Sequence, residues 1–476
     1  MVEQSDKNDR RLLSLANKRS PFDILNILKP VMLFMRKIPP KAATLLKHLV
    51  ILSTLFPFLG VGSCQDAVVD RGCFVRTYWY ERGIERGNPF FDGRFRVNAP
   101  EAVLHPSFMH RSEVRENGMM LIRIEENLSL LSGAELYLEV WGGHPGTANK
   151  RLTINGRTTY PLPEVGTAQS NCTHFYPTIA LKITDLVNGY NAIQFACDQG
   201  KSFWGHFIVE NASLRAILKG EHPELRKAEL AGFQAALSVR PGPPETEVIP
   251  IELKIPSPGL DRVSSVDFLG HYQGYDENGD GNFTDWHGFT KNRLPRAILR
   301  TATAPAFSVE WDVSMLPAQK NVAVKAIVHF KGCPEITYVT PMLGGVTITD
   351  RKESIVKLYT SKDLPRPFWS RASQAKECTI IVDEEPGRIE KAELHVVVWD
   401  GGRGKADNPF TLNGHPLSVA GEGRHDVLYR KLDVDPKVVK RGANRIVVFS
   451  DTDHHGIEVL LPGPALMLRT RKKTSQ

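Results

Sequence analysis

Residues 134–156 read AELYLEVWGGHPGTANKRLTING, and residues 392–414 read AELHVVVWDGGRGKADNPFTLNG. The two align without a gap at an offset of 258. Eleven of the 23 positions are identical, among them Trp141/Trp399, Gly146/Gly404, Asn155/Asn413 and Gly156/Gly414. Further on, Gly189-Tyr-Asn191-Ala-Ile193 matches Gly442-Ala-Asn444-Arg-Ile446 at an offset of 253, and Asp198 matches Asp451. Self-similarity at a nearly fixed offset predicts two copies of one domain that differ by a short loop deletion.

Each copy reads as β. In the first, Leu136, Leu138 and Val140 alternate with Tyr137, Glu139 and Trp141. In the second, Leu394, Val396 and Val398 hold the equivalent parity. A period of two marks a half-buried strand, and the Asn-Gly pairs at 155–156 and 413–414 are hairpin signals. Between the copies, Phe307, Val309 and Trp311 alternate with Ser308, Glu310 and Asp312, and Val324, Ala326, Val328 and Phe330 form another such run. Residues 224–237 are the one stretch that hints at a helix. The expected fold class is therefore all-β.

Composition bounds the function. The 476 residues carry 41% hydrophobic and 24% charged side chains, which fits a globular chain of about three domains. The net charge of +7 suggests an acidic partner at first sight. However, residues 1–48 hold ten Lys/Arg against four Asp/Glu, which leaves 50 Lys/Arg and 49 Asp/Glu in the rest. A basic face for nucleic acid is thus not expected.

The excess sits ahead of an uncharged run, Leu49–Val61 (LVILSTLFPFLGV), followed by Gly62-Ser63. A basic segment, a short apolar segment and small residues read as a secretory signal. The run is shorter than the ~20 residues of a membrane span. Val61-Gly62-Ser63-Cys64 also resembles a bacterial lipobox, so the expectation is a secreted, periplasmic or cell-surface protein, tied to a membrane only through a lipid on Cys64. In such a compartment disulfides form. Cys172 and Cys197 lie in one copy and are the expected pair.

The pattern of A-E-L-x-apolar, Gly-rich loop, apolar-Asn-Gly and then L-x-x-G-x-N-x-I resembles the galactose-binding-like β-jelly roll. The resemblance covers roughly 110–218 and 370–470. It implies two jelly-roll β-sandwiches of a type common in carbohydrate-binding modules. The string APAFSVEWDVSMLPAQKNVAVKAIV (304–328) is similar to bacterial immunoglobulin-like modules. The expected order is a leader at 1–63, a jelly roll at 64–220, an immunoglobulin-like β-sandwich at 236–352 and a second jelly roll at 353–472.

Two constellations could carry chemistry. Asp276-Glu-Asn278-Gly-Asp280-Gly281-Asn282-Phe-Thr-Asp285 fits D-x-[DN]-x-[DN]-G, in which hard oxygens at alternate positions wrap a Ca²⁺. Asp276, Asn278, Asp280, Asn282 and Asp285 are the expected ligands of a structural calcium ion. The loop resembles those of EF-hands, dockerins and thrombospondin-type repeats. It departs at position 12, where His287 stands in place of a bidentate Glu. The bland alternative is an Asn/Gly turn.

The second constellation is the loop after the Ile193 and Ile446 strands. It carries Trp204 and His206 in one copy, and Asp451 and His454 in the other. Aromatic faces stack on sugars while Asp and His bond hydroxyls, so these four are the candidate ligand-binding residues. Trp141 and Trp399 lie on the parity opposite to the core and could be platforms. No nucleophile, dinucleotide or zinc motif is present, and no catalytic or cofactor-binding residue is assigned. The expected role is non-catalytic binding of glycans or other extracellular polymers. Its rivals are a glycan-active hydrolase or lyase built on paired jelly rolls, as in peptide-N-glycosidase-type enzymes, and a surface scaffold without a small ligand. Two or three convergent carboxylates free of structural partners would mark the enzyme.

Overall fold

Alternating burial along the strands follows the alternating sequence, and it builds three layered cores. The computed structural model describes residues 72–80, 95–97, 119–143, 147–165, 172–198, 207–240, 247–256 and 259–473. The leader, Cys64, Trp204 and His206 lie outside them. The described residues belong to one compact unit, Ser63–Gln476. The fold is all-β. The stretch 224–237 contributes only a five-residue helix, Pro223–Lys227. Among the described residues no helix is long and apolar enough to cross a membrane.

The first core lies between the strands Leu131–Trp141 and Phe207–Leu218 on one side and a four-stranded sheet on the other. That sheet runs Met119–Ile124, Gly189–Asp198, Ala148–Ile154, Thr158–Pro161. Leu136, Leu138 and Val140 meet Ile154, Ile193 and Phe195, all fully buried. The last core repeats the arrangement. Leu394, Val396 and Val398 of Ile389–Asp400 face Ile380, Phe410, Leu412 and Ile446. Burying each such side chain contributes ~1.5–3 kcal/mol.

The same hydrogen bonds close both sandwiches. Asn155 and Asn413 sit at φ 49° and 51°, each followed by a Gly at positive φ. Each takes the left-handed conformation that the first position of a type I′ turn requires. The Asn155 amide donates to Asn191 Oδ1 at 2.9 Å, and the Asn413 amide donates to Asn444 Oδ1 at 2.9 Å. Asn191 and Asn444 have no exposed surface. Each bonds three backbone groups of its own turn, two as donor and one as acceptor.

The central segment packs a three-stranded sheet, Ala236–Val239, Val248–Lys254 and Ser308–Asp312, against Val263–Gln273 and Gln319–Phe330. Phe307, Val309 and Trp311 point inward with Val324, Ala326 and Val328. The N-terminal and central segments are not separate sandwiches. The strand Cys73–Trp79 pairs with Phe207–Leu218 along one edge and with Ile336–Val339 along the other. One 12-stranded sheet therefore runs through both.

The expected Cys172–Cys197 disulfide is corrected: the two thiols are not joined, and the Cys172 side chain hydrogen-bonds Glu458. Cys197 lies inside the first core, its thiol 3.6 Å from the Val97 carbonyl. Cys172 belongs to a different cluster on the outer side, with Tyr275, Val397 and Leu460. The two thiols face opposite sides of one sheet.

Candidate functional site

The Asp276 loop is a hairpin connection whose ends are fixed. The strand Val263–Gln273 enters it and Thr284–His287 leaves it, in register from Gly270↔His287 to Gln273↔Thr284. Asp276, 2% exposed, accepts hydrogen bonds from the Asp280 and Gly281 N–H groups at 3.2 and 2.9 Å. Asp280 accepts from Asn282 N–H at 2.8 Å, and the Asn278 amide donates to Asp285 at 3.4 Å. Burial, and then the Asp280 charge, push the Asp276 carboxyl up to about 7. Burial and the Asp285 side chain push Asp280 to about 6. Carboxylates that raise one another in this way are relieved by a shared proton or by a cation.

The donor set, hard oxygens only, suits Ca²⁺. Among the described residues no three His, Cys, Asp or Glu side chains form a metal-holding group. A cation here would thus rest on two carboxylates together with the Asn278 amide oxygen and backbone carbonyls. His287, at position 12, pairs with Glu277 at 2.5 Å and stacks on Tyr272 at 3.7 Å. Burial opposes its charge, but the Glu277 carboxylate outweighs burial and raises its pKa. The loop also touches both flanking segments: Thr173 Oγ1 donates to the Gly279 carbonyl at 2.6 Å, and the Tyr275 hydroxyl to the Gly463 carbonyl at 2.7 Å.

Asp451 has a structural task. Its Oδ1 accepts the Lys405 N–H at 2.9 Å. A Cβ at Gly404 (φ +66°) would lie 1.7 Å from that oxygen, which accounts for the glycine. His454 is exposed on the next turn. The structure gathers other residues instead. Trp369 and Trp399 both register opposite Glu458 on the intervening strand Ile457–Val459. The two indoles therefore flank Glu458 on one outward face of the sheet. His425 and His455 pack around Trp399 with ring centroids 5.9 and 6.0 Å away, and 4.5 Å from each other. The Trp369 indole N–H donates to the His455 carbonyl at 3.0 Å, and Arg371 lies 4.1 Å over its ring.

Rigid loops hold this row. Fully buried Asp400 accepts N–H groups from Gly421, Glu422 and Gly423 at 2.9, 3.1 and 3.4 Å. That fixes the turn carrying His425. Gly401 N–H donates to the Gly456 carbonyl at 2.7 Å beside His455. Burial, and then the fields of His425 and His454, hold the His455 pKa below its usual value. The ring is therefore neutral near pH 7 and offers an acceptor nitrogen. Of this row, only the outward parity of Trp399 was visible in the sequence. Trp141, its counterpart, packs with Trp399 against one cluster between the sandwiches.

Carboxylates also converge where the sandwiches meet, but each is partnered. Glu139, with no exposed surface, accepts the Asn292 and Arg293 N–H groups at 2.9 and 3.4 Å. Burial pushes it to about 7. Glu210 pairs with His174 at 2.9 Å, and Asp426 with Lys291. The strands Phe289–Lys291 and Leu294–Arg296 form the hairpin that supplies Lys291 and the Asn292 and Arg293 N–H groups.

No protein-family model and no curated protein matches the chain. Among solved structures it is similar to a β-porphyranase of glycoside hydrolase family 86 from the human gut bacterium Bacteroides plebeius, at 13% identity. That match covers 51% of this chain and 37% of the enzyme, with a TM-score of 0.23. BuGH86 in complex with neoagarooctaose matches at 10% identity over 51% and 34%, also with a TM-score of 0.23. The chain thus spans about a third of each neighbour's length, and superpositions this loose say nothing of substrate or reaction.

Glu458 yields a pH prediction. Burial raises its pKa from 4.5 to about 7, with a Cys172 hydrogen bond acting the other way. A raised carboxyl contributes stability below pH ~4.5 that is lost as pH rises through ~7. Glu458→Gln is therefore expected to leave stability at pH 4 unchanged and to raise it at pH 8 by on the order of 2–3 kcal/mol. Denaturant melts of both forms at the two pH values measure this; equal stabilities at pH 8 would show that Glu458 is ionised without penalty.

Proposed function

We propose that this is an exported glycan-binding protein whose binding surface is the Trp369–Glu458–Trp399 row. One observation carries the proposal: two indoles two strands apart on one sheet face, with His425 and His455 beside them. Apolar sugar faces stack on such rings, and imidazole nitrogens bond the hydroxyls. Binding is favoured over hydrolysis because the carboxylates gathered nearby are all held by protein partners. The support for export is the basic, apolar and small-residue order of residues 36–63.

Affinity gels containing galactan, mannan, xylan or dextran test this with the full chain. At least one is expected to retard the wild type. Trp399→Ala and Trp369→Ala should each weaken that binding roughly tenfold, about 1.4 kcal/mol. Release of reducing ends from a retarding polysaccharide would contradict the non-catalytic reading.

We further propose that the Asp276 loop binds one structural Ca²⁺. The support is the oxygen-only donor set and the chain of upward pushes, burial and Asp280 on Asp276, burial and Asp285 on Asp280. Several millimolar Ca²⁺ is expected to add about 1 kcal/mol of stability for a site of ~10⁻³ M affinity. Asp276→Ala with Asp280→Ala should abolish that gain. Melting curves that coincide with chelator and with Ca²⁺ would leave the loop as an Asn/Gly turn.

A further inference from the structure

The outer face of the 12-stranded sheet carries charged side chains that neither the tryptophan row nor the loop uses. Arg215 stands directly opposite Glu135 on one neighbouring strand and Thr77 on the other. Lys325 stands opposite Leu269. Three strands separate Glu135 from Lys325 in the sheet order. In a flat sheet they would be about 19 Å apart. The register nonetheless puts them on one face: Arg215 pairs with Glu135 and Thr77, Cys73 with Val339, and Val339 with Ile327, two residues from Lys325. Their charges act on one another across that face.

Both cations rest on rings rather than on carboxylates. The Arg215 guanidinium lies 4.2 Å over Tyr137, and Lys325 Nζ lies 4.0 Å over Trp286. A third pair, Arg293 over Trp79 at 5.3 Å, continues the line, and Trp79 meets Tyr137 edge-on at 6.2 Å. All of these but Tyr137 keep part of their surface open to solvent. Aromatic rings hold a cation in place without neutralising it. The acids of this face are Glu135 and Glu139, which act on Arg215, and Asp285 at the sheet's edge acts on Lys325. Burial raises the Glu135 pKa. Burial also draws Lys325 down to about 8, and the Arg215 charge adds to that shift. Arg215 and Lys325 thus share one sheet face, each poorly solvated and each held against a ring.

We propose that this sheet face binds a polymer bearing oxyanions, sulfate or carboxylate groups, which Arg215 and Lys325 hold while the ring-lined surface supports the backbone of the polymer. A single ion would need one cation. Three ring–cation pairs spread from Leu131–Trp141 to Thr284–His287 fit a chain with repeated charges. The site is separate from the tryptophan row of the C-terminal sandwich, and the proposal does not rest on that reading.

Titration calorimetry on the full chain at about 0.15 M salt, where exposed charges are largely screened, tests it. The probes are dextran sulfate, alginate, neutral dextran and sodium sulfate. At least one of the two polyanions is expected to bind, and neutral dextran is not. Lys325→Met and Arg215→Met should each weaken that binding roughly tenfold, and Trp399→Ala should leave it unchanged. Lys325→Met keeps the aliphatic stem against Trp286 and removes a charge that is already poorly solvated, so it should fold. Polyanion binding should also slow hydrogen exchange in Gln319–Phe330. The proposal is overturned if neither polyanion binds, if both variants bind as the wild type does, or if sodium sulfate alone binds as tightly as the polymers.

Discussion

The strand Cys73–Trp79 is hydrogen-bonded along both edges, and the rest of the structure depends on that double pairing. Six of its residues register with Phe207–Leu218 and four with Ile336–Val339. A central strand cannot leave one edge unpaired without burying bare N–H and C=O groups. The N-terminal and central segments are thereby forced into one sheet. Its register sets Glu135, Arg215 and Lys325 on one face. The same continuity brings the Phe289–Arg296 hairpin onto Glu139, whose carboxylate caps the Asn292 and Arg293 N–H groups.

Charge is distributed in a consistent way. The three interiors are almost wholly apolar, and the poorly solvated ionisable groups lie on the outer sheet faces. Glu458 lies between two indoles, Lys325 over another, and Glu139 under a hairpin. The Trp286 ring shields Lys325 without neutralising it, so Lys325 retains a capacity to pair with something further, whereas Glu139 is already held by the Asn292 and Arg293 N–H groups. That favours surfaces built for recognition. Chemistry would instead require a carboxylate free of structural partners, and those at the junction have their hydrogen bonds filled.

The inward residues were legible in the sequence because burial imposes a period of two. Leu136, Leu138 and Val140, and likewise Val324, Ala326 and Val328, alternate as they pack. Asn155 and Asn413 were legible because only a few residues accept a left-handed turn. The outward residues were not. Glu139 and Lys325 read as solvated positions until a hairpin 153 positions away covers the first and Trp286, on a neighbouring hairpin, covers the second. His425 and His455 sit in turns with no periodicity. CFVRTYW lacks the alternation that would mark a strand between two sandwiches, since most of its residues are half-buried. The cysteine expectation failed for a related reason: sharing a domain does not put two thiols on the same side of a sheet.

The central claim is that one strand makes the N-terminal and central sandwiches a single cooperative unit. Thr77 N–H donates to the Glu335 carbonyl at 2.9 Å, and Thr77→Pro removes that donor. Hydrogen exchange read by mass spectrometry on the full-length variant tests the claim directly. Exchange should quicken together in Phe207–Leu218 and in Ile336–Val339, while the C-terminal strands Ile389–Asp400 and Gly442–Val448 keep their protection. Faster exchange on only one side of Cys73–Trp79 would show two independent sandwiches and contradict the account.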